Sequence, residues 1–511
     1  MRIKNIVRNG FFSLLSQIII IAVGFFSQRV MFMKAGRELI GMNSVISNII
    51  AILSVSELGV STAVVYHLYH SLATKNEREI AAYMNFYRKA YVVFAAVITA
   101  LGLCIMPFVH MFLKDNTYPL FYVRLIYGMW LLRTVLSYLL SYRRSVLIAD
   151  QREYVVTLVT LAANVLNYLS IIGIVGLTSD YALALGINIM IEIVSNVGLS
   201  RYVERLYPYL GKWRKEPLPK EIVHTIIEDV KNIFVTRLSA KLLYCTDNLI
   251  ISGFINVGTV GLFSNYSLIT QSVTNIVLAL SNAVQPSIGN LFIEKDQEKD
   301  YRVLRLLTFV FFLIAVFASA SLLSLMHPFI GDIWLNRNSL LTFAVVICCS
   351  LNCFLQTVGL PLSVCMAVSG LFGKERNLTL TSALVNLVVS LWLVKPFGIV
   401  GVLIGTGCAH FVQLVMRMHF FFRDYLKRSL RAYAAELLEY TLLAVAEMWG
   451  TFEITQAVYG AGGFFRFLFA AAVCVVFPVG CNLVLFCRSE RFLEVFRMIK
   501  GMLGTSDRLL L

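Results

Sequence analysis

The stretch Lys231-Asn-Ile-Phe-Val-Thr-Arg237-Leu-Ser-Ala-Lys241-Leu-Leu-Tyr-Cys-Thr-Asp247-Asn-Leu-Ile-Ile is long and apolar enough to cross a bilayer. It nevertheless carries Arg237, Lys241 and Asp247 inside the crossing. On translocation scales a charge near the bilayer centre costs roughly 2.5–3.5 kcal/mol, so ionisable residues there mark candidate functional sites. Counted at 1.5 Å per residue from Lys231, Arg237 lies roughly 9 Å and Lys241 roughly 15 Å along the span. Arg237 can therefore snorkel to the interface, whereas Lys241 sits too deep to do so easily. The two cations share one helical face, where like charges repel by roughly 0.2–0.5 kcal/mol. Asp247 lies roughly 9 Å of rise further on, too far for easy pairing within the helix. An anion must come from another span or from a substrate.

The remainder of the chain has the same character. Of 511 residues 58% are hydrophobic and 14% charged, with a mean hydropathy of +0.76. A soluble domain sits nearer a quarter charged, so the composition is that of a polytopic membrane protein. The run from Phe11 to Met33 is too long for a signal-peptide core and lacks a small-residue cleavage site, and so reads as a retained first span. Ten cysteines lie scattered in apolar runs without CxxC or Cys/His ligand spacing. They read as small embedded hydrophobes, and no metal site is expected.

Fourteen apolar runs are long enough to span, the thirteenth (433–456) weakened by Glu436, Glu439 and Glu447. The expected fold is an all-α integral membrane protein of about 14 transmembrane helices, with two pseudo-symmetric six-helix lobes plus two C-terminal helices. The expected layout is a first lobe over 1–207 and a cytoplasmic linker with an interfacial helix over 208–231. A second lobe over 232–425, two extra spans over 426–487 and a cytoplasmic amphipathic tail over 488–511 follow. Of 44 basic residues, 33 fall on the side of the N-terminus, six on the other side and five inside spans. Positive-inside logic then places both termini in the cytoplasm.

The chain also carries a weak copy of itself, displaced by about 220 residues. Lys4-Asn5-Ile6 returns as Lys231-Asn232-Ile233. Gly36 followed by Ile40-Gly-Met-Asn43 returns as Gly258 followed by Leu262-Phe-Ser-Asn265, and Met106-Pro107-Phe108 returns as His327-Pro328-Phe329. An even number of spans separates the copies, as in parallel-repeat transporters with a site between lobes. Coincidence among apolar residues is the competing reading.

Five basic residues inside spans, Arg29, Arg124, Arg133, Arg237 and Lys241, are candidate anion-binding groups. Glu57, Glu192, Asp247 and His410 are candidates for charge pairing or ion coupling. The bland alternative is a set of satisfied interhelical pairs, such as Glu57 with Lys241 or Arg133. The basic excess favours a negatively charged cargo such as a phosphate-bearing headgroup. Ser369-Gly370-Leu-Phe-Gly373-Lys374-Glu375 is no phosphate loop, because Val368 stands where its first Gly belongs and Glu375 replaces Ser/Thr. No long external loop carries an acidic dyad or a Ser/His pair, which argues against an enzyme.

Three stretches resemble bacterial polysaccharide flippases: Thr246-Asp247-Asn248 to Ser252, Gly261-Leu-Phe-Ser-Asn265-Tyr266 and Ser287-Ile-Gly289-Asn290. Ser56-Glu57-Leu58-Gly59 with Tyr66-His-Leu-Tyr69 is similar to the matching first-lobe pattern. The family is the O-antigen and capsule repeat-unit branch of the multidrug/oligosaccharidyl-lipid/polysaccharide exporter superfamily. The resemblance implies alternating access in the bacterial cytoplasmic membrane. Its cargo there is an undecaprenyl-pyrophosphate-linked oligosaccharide, moved from inner to outer leaflet for surface polysaccharide biosynthesis. It implies no cofactor, coupling to a proton or sodium gradient or to the membrane potential, and membrane lipids, a polysaccharide polymerase and glycosyltransferases as partners, but no nucleic acid. A cation-coupled drug or metabolite antiporter of the same superfamily is the alternative, and a membrane glycosyltransferase or polymerase a weaker one.

Overall fold

A computed structural model describes residues 2–213, 216–294, 296–460 and 462–494. Every regular element among the described residues is helical, as hydrocarbon demands of any segment that must satisfy its own backbone. Eleven helical segments among them are long and apolar enough to cross a membrane.

The chain forms two compact units, Met1–Ser264 and Asn265–Leu511. The first contains α1 (Arg2–Leu53), α2 (Val55–Ala73), α3 (Glu77–Ile105), α4 (Leu120–Ser141), α5 (Arg144–Ala149), α6 (Glu153–Ser170), α7 (Tyr181–Leu206) and α8 (Lys220–Phe254). Helix α9 (Val257–Leu291) begins in the first unit and continues into the second. The second unit adds α10 (Gln297–Pro328), α11 (Phe343–Val358), α12 (Leu360–Val368), α13 (Phe372–Phe397), α14 (Ile399–Phe420), α15 (Arg431–Tyr459) and α16 (Phe464–Phe486).

All fourteen expected spans fall on helix. The first two share α1, which breaks at Gly36, whose φ of 82° is open to glycine at no steric cost. The second span then bends at Ser54, whose hydroxyl donates to the Ile50 carbonyl at 2.6 Å and so competes with the helix ladder. Spans seven and thirteen, α8 and α15, are full-length helices despite their charges.

The linker expected over 208–231 is helical over Tyr209–Lys212 and again from Lys220, where residues 220–230 are the first turns of α8 itself. Pro219 starts that helix, and nothing from Lys220 to Ser252 is Gly or Pro, so no breaker divides surface turn from span. Helix α8 packs against α1 and α2 within the first unit. Of the expected amphipathic tail only the start is described: Arg491 donates to Glu436 and Tyr440 of α15. Residues 495–511 lie outside the described residues.

The sequence repeat has a backbone counterpart. Helix α3 gives way at Pro107 to a tighter 3-10 segment, Met106–Phe112, and α10 gives way at Pro328 to a wider π segment, Phe329–Trp334. Each unit then has a long helix followed by a short one and a return helix: α4, α5 and α6 in the first, α11, α12 and α13 in the second.

Within the first unit, α1 and the start of α9 touch backbone to backbone. A Cβ on Gly41 would lie 2.0 Å from the Val257 carbonyl oxygen, and one on Gly261 would lie 1.7 Å from that of Arg37. Neither obstacle can swing aside, so only glycine fits at either position. Gly41→Ala or Gly261→Ala is expected to destabilise the protein by about 1–3 kcal/mol through overpacking. Gly253→Ala, with nothing within 4 Å of the new methyl, should be neutral or slightly stabilising. Thermal unfolding of the detergent-purified variants, followed by intrinsic fluorescence, measures both.

Candidate functional site

The first unit holds a buried polar chain linking four helices. Arg133 of α4 stacks over the Trp130 ring at 5.3 Å, one turn back, and its Nη2 donates to Glu192 Oε2 of α7 at 3.3 Å. Trp130 Nε1 donates to Asn43 Oδ1 of α1 at 2.9 Å, and the Tyr181 hydroxyl donates to the same oxygen at 2.6 Å. On the other side, Asn196 Nδ2 donates to Glu192 Oε1 at 3.2 Å, and Arg144 of α5 donates to Asn196 Oδ1. Arg133 and Glu192 retain 22% and 20% side-chain exposure, so this pair is partly shielded from water and screened less than a surface one.

Arg133 and Glu192 are thus the two candidates that the fold brings together. The other basic candidates form no ion pair among the described residues. Arg124, in the second turn of α4, buries its Nε without an acceptor. Arg29 is exposed on α1, Arg237 is exposed on α8, and Lys241 is half-buried one turn beyond it. Asp247 is buried on α8. The side chain of Glu57 lies outside the described residues. His410 is buried on α14 in the other unit.

A cavity of about 440 Å³ opens at one end of the first unit, lined by Asn85, Arg88, Tyr142, Arg143 and Glu204 among others. Arg143 pairs with Glu204 at 2.5 Å, and Asn85 Nδ2 donates to the Trp213 carbonyl at 2.8 Å. Arg88 is therefore the surplus positive charge of this cavity. Nearby, the buried Tyr207 hydroxyl donates to Asp150 Oδ2 at 2.7 Å, fastening the end of α7 to the turn before α6. Burial, then the Asp150 carboxylate, push this phenol well above its ordinary value, so it remains a donor throughout the physiological range.

The second unit contains several ion pairs: Arg417 with Glu375 at 2.5 Å, Lys374 with Asp424 at 3.3 Å, and Arg305 with Glu436 at 2.8 Å. An apolar groove of about 450 Å³ runs between α9 and α10, with Ile276, Leu280, Phe317, Leu325 and Phe467 among its walls.

Sequence reasoning found the cations but missed Asn43, Trp130, Asn196 and Arg144, which order the pair. The signal was present as helical spacing: Trp130 precedes Arg133 by three residues, and Asn196 follows Glu192 by four. Arg88 and Arg143 read only as topology markers, because nothing in the sequence shows that they share a cavity.

No family model matches the sequence, and no curated protein matches it either. Solved structures do match. The chain superposes on the lipid II flippase MurJ in an inward closed conformation with a TM-score of 0.71 at 12% identity, covering 94% of this chain and 99% of that one. It superposes on an inward-facing multidrug resistance MATE family transporter of the MOP superfamily at 0.63 and 13% identity, covering 82% and 98%. The MATE multidrug transporter DinF-BH gives 0.61 at 16% identity over 83% and 96%. At these identities the likeness is one of fold: the chain has the multi-pass helical fold of these flippase and exporter structures.

Removing one partner of the Arg133–Glu192 pair strands the other, at a cost of about 1–3 kcal/mol for an unsatisfied polar group. Glu192→Ala and Arg133→Ala should each lower thermal stability by such an amount. The double variant should cost less than the sum, because neither partner is then left stranded. Additive losses in the double-mutant cycle would mean that the pair contributes nothing.

Proposed function

We propose that the chain is a flippase of the MOP superfamily. Its cargo is an undecaprenyl-pyrophosphate-linked oligosaccharide, which it moves from the inner to the outer leaflet of the bacterial cytoplasmic membrane by alternating access. One observation carries this reading: Arg29 and Arg124, on helices long and apolar enough to cross a membrane, and Arg237 and Lys241, on α8, have no ion pairs among the described residues. Lys241, too deep to snorkel easily, and Arg124, whose Nε is buried without an acceptor among the described residues, call for a counter-charge, and a cargo that brings a pyrophosphate supplies it. The groove between α9 and α10 gives an apolar chain a surface to lie on while the headgroup crosses. Both termini are cytoplasmic in this reading, and the cycle draws on a proton or sodium gradient or on the membrane potential. The cargo can drive the conformational change only by binding its two states with different affinity.

A cation-coupled exporter of small molecules is the second reading. Two buried carboxyl-bearing residues support it: Asp247, and Glu447 of α15, which accepts a hydrogen bond from Asn482 Nδ2 at 2.7 Å. Such a protein would move cationic dyes and leave surface polysaccharide untouched.

A charge-assisted hydrogen bond contributes about 1.5–3 kcal/mol, so losing one reduces affinity roughly 10–150-fold. Lys241→Gln and Arg124→Gln are each expected to reduce flipping of lipid-linked oligosaccharide in proteoliposomes on that scale. In cells, surface polysaccharide should fall while lipid-linked units accumulate on the inner leaflet. Normal export by the double variant, at wild-type protein levels, would overturn the charge-path reading; dye efflux without any oligosaccharide transport would establish the second.

A further inference from the structure

The second unit contains a polar cavity of about 320 Å³ that the transport reading does not use. It lies where the end of α10, the segment 335–342, the start of α11 and the end of α15 converge. On its polar side, Asp332 Oδ1 accepts from Arg337 Nε at 2.8 Å, and Asp332 Oδ2 accepts from the Tyr459 hydroxyl at 2.7 Å. Gln456 lines the same side, exposed, with an amide that both donates and accepts. On its apolar side stand Phe343 and Phe452, ring centroids 5.1 Å apart and planes tilted by 34°.

The walls are fixed before any ligand arrives. The Leu341 amide donates to the Tyr266 hydroxyl at 2.8 Å, so the connecting segment is tied at its centre. The His327 ring packs edge-on against Tyr266 and Phe343, at 5.9 and 5.6 Å. Its Nε2 is buried and has no hydrogen-bond partner.

These features select a ligand class by elimination. An anion would meet the Asp332 carboxylate, and the cation that could attract it is already neutralised. A cation would meet Arg337. A lipid chain would desolvate Asp332, Arg337 and Gln456 without bonding them, which is costly. A hydroxylated ring satisfies every wall: its C–H face lies on Phe343 and Phe452, and its hydroxyls donate to Asp332 and accept from Arg337 and Gln456. The volume sits at the small end of the range for small-molecule sites, about 300–1,000 Å³, and so suits one ring rather than a chain of them.

We propose that this cavity is a saccharide-binding subsite for a single neutral sugar ring. That it holds a sugar follows from its own walls; that the sugar is carried by the transported lipid rests on the flippase reading. Under that reading the subsite takes one residue of the oligosaccharide at one end of the transport path.

The test uses the full chain in lipid nanodiscs and titration calorimetry with two kinds of probe. One is a set of free sugars (glucose, galactose and N-acetylglucosamine), and the other is lipid-linked oligosaccharide extracted from the host membrane. Gln456→Ala and Phe452→Leu, each checked for wild-type unfolding temperature, are compared with the parent. Binding of a free sugar that weakens at least tenfold in both variants supports a subsite independent of the lipid. Binding of the lipid-linked form alone, weakened likewise, supports the subsite with the cargo as its source. If neither probe binds, or if both variants bind as the parent does, the subsite is wrong. Flux measured in the same preparations keeps the two readings apart: intact flux with no sugar binding removes the subsite alone, and variant-sensitive sugar binding without flux removes the flippase alone.

Discussion

A helix crossing hydrocarbon satisfies its own backbone, so the whole burden of polarity falls on side chains, which must find partners inside the bundle. The Arg133–Glu192 pair is one place where this constraint is met. Trp130 covers one face of the guanidinium, Asn196 orients the carboxylate, and Asn43 and Arg144 hold the orienting groups. Four helices, α1, α4, α5 and α7, are thereby tied by polar contacts as well as by packing. Where α1 meets α9 the tie is different in kind: Gly41 and Gly261 bring two backbones within reach of each other, and no side chain could mediate so short a distance.

The two units share an order of helices and breaks, and each holds ion pairs. In the second, Arg305, Glu436 and Arg491 compensate one another, Glu375 takes Arg417, and Asp424 takes Lys374. In the first, the pair at Arg133 is closed while Arg124 keeps a buried Nε without an acceptor. The apolar groove beside Phe317 and the cavity beside Asp332 both lie in the second unit.

The spans were legible in the sequence because their signal, a long apolar run, is local and needs no partner. The breaks were legible in part: Gly36 and Pro107 announce themselves, whereas the bend at Ser54 comes from a hydroxyl turning onto its own helix. Amphipathic spacing in residues 222–230 describes a face and says nothing of whether the helix continues, and here it runs on into span seven. Partners were the least legible. Glu192 is 59 positions from Arg133, and the residues around Asp332 come from stretches more than a hundred positions apart, so only the folded chain brings them together.

The span over Lys231 to Ile251 looks different once α8 is seen whole. Its 35 residues extend about 52 Å, well beyond a hydrocarbon core of about 30 Å, so depth is better measured from its end at Phe254 than from Lys231. From there Asp247 lies about 10 Å in and Lys241 about 20 Å in, on either side of the midplane. Six residues of helix also turn the two side chains through about 240°, onto different faces. They cannot neutralise each other along the helix, and Asp247 is buried where Lys241 is only half so. Arg237, a further turn along, comes about 26 Å from Phe254, within snorkelling reach of the far interface. Lys241 alone combines depth, partial exposure and the lack of an ion pair among the described residues, so under the proposed flippase reading it is the position where an anionic cargo would gain most from binding.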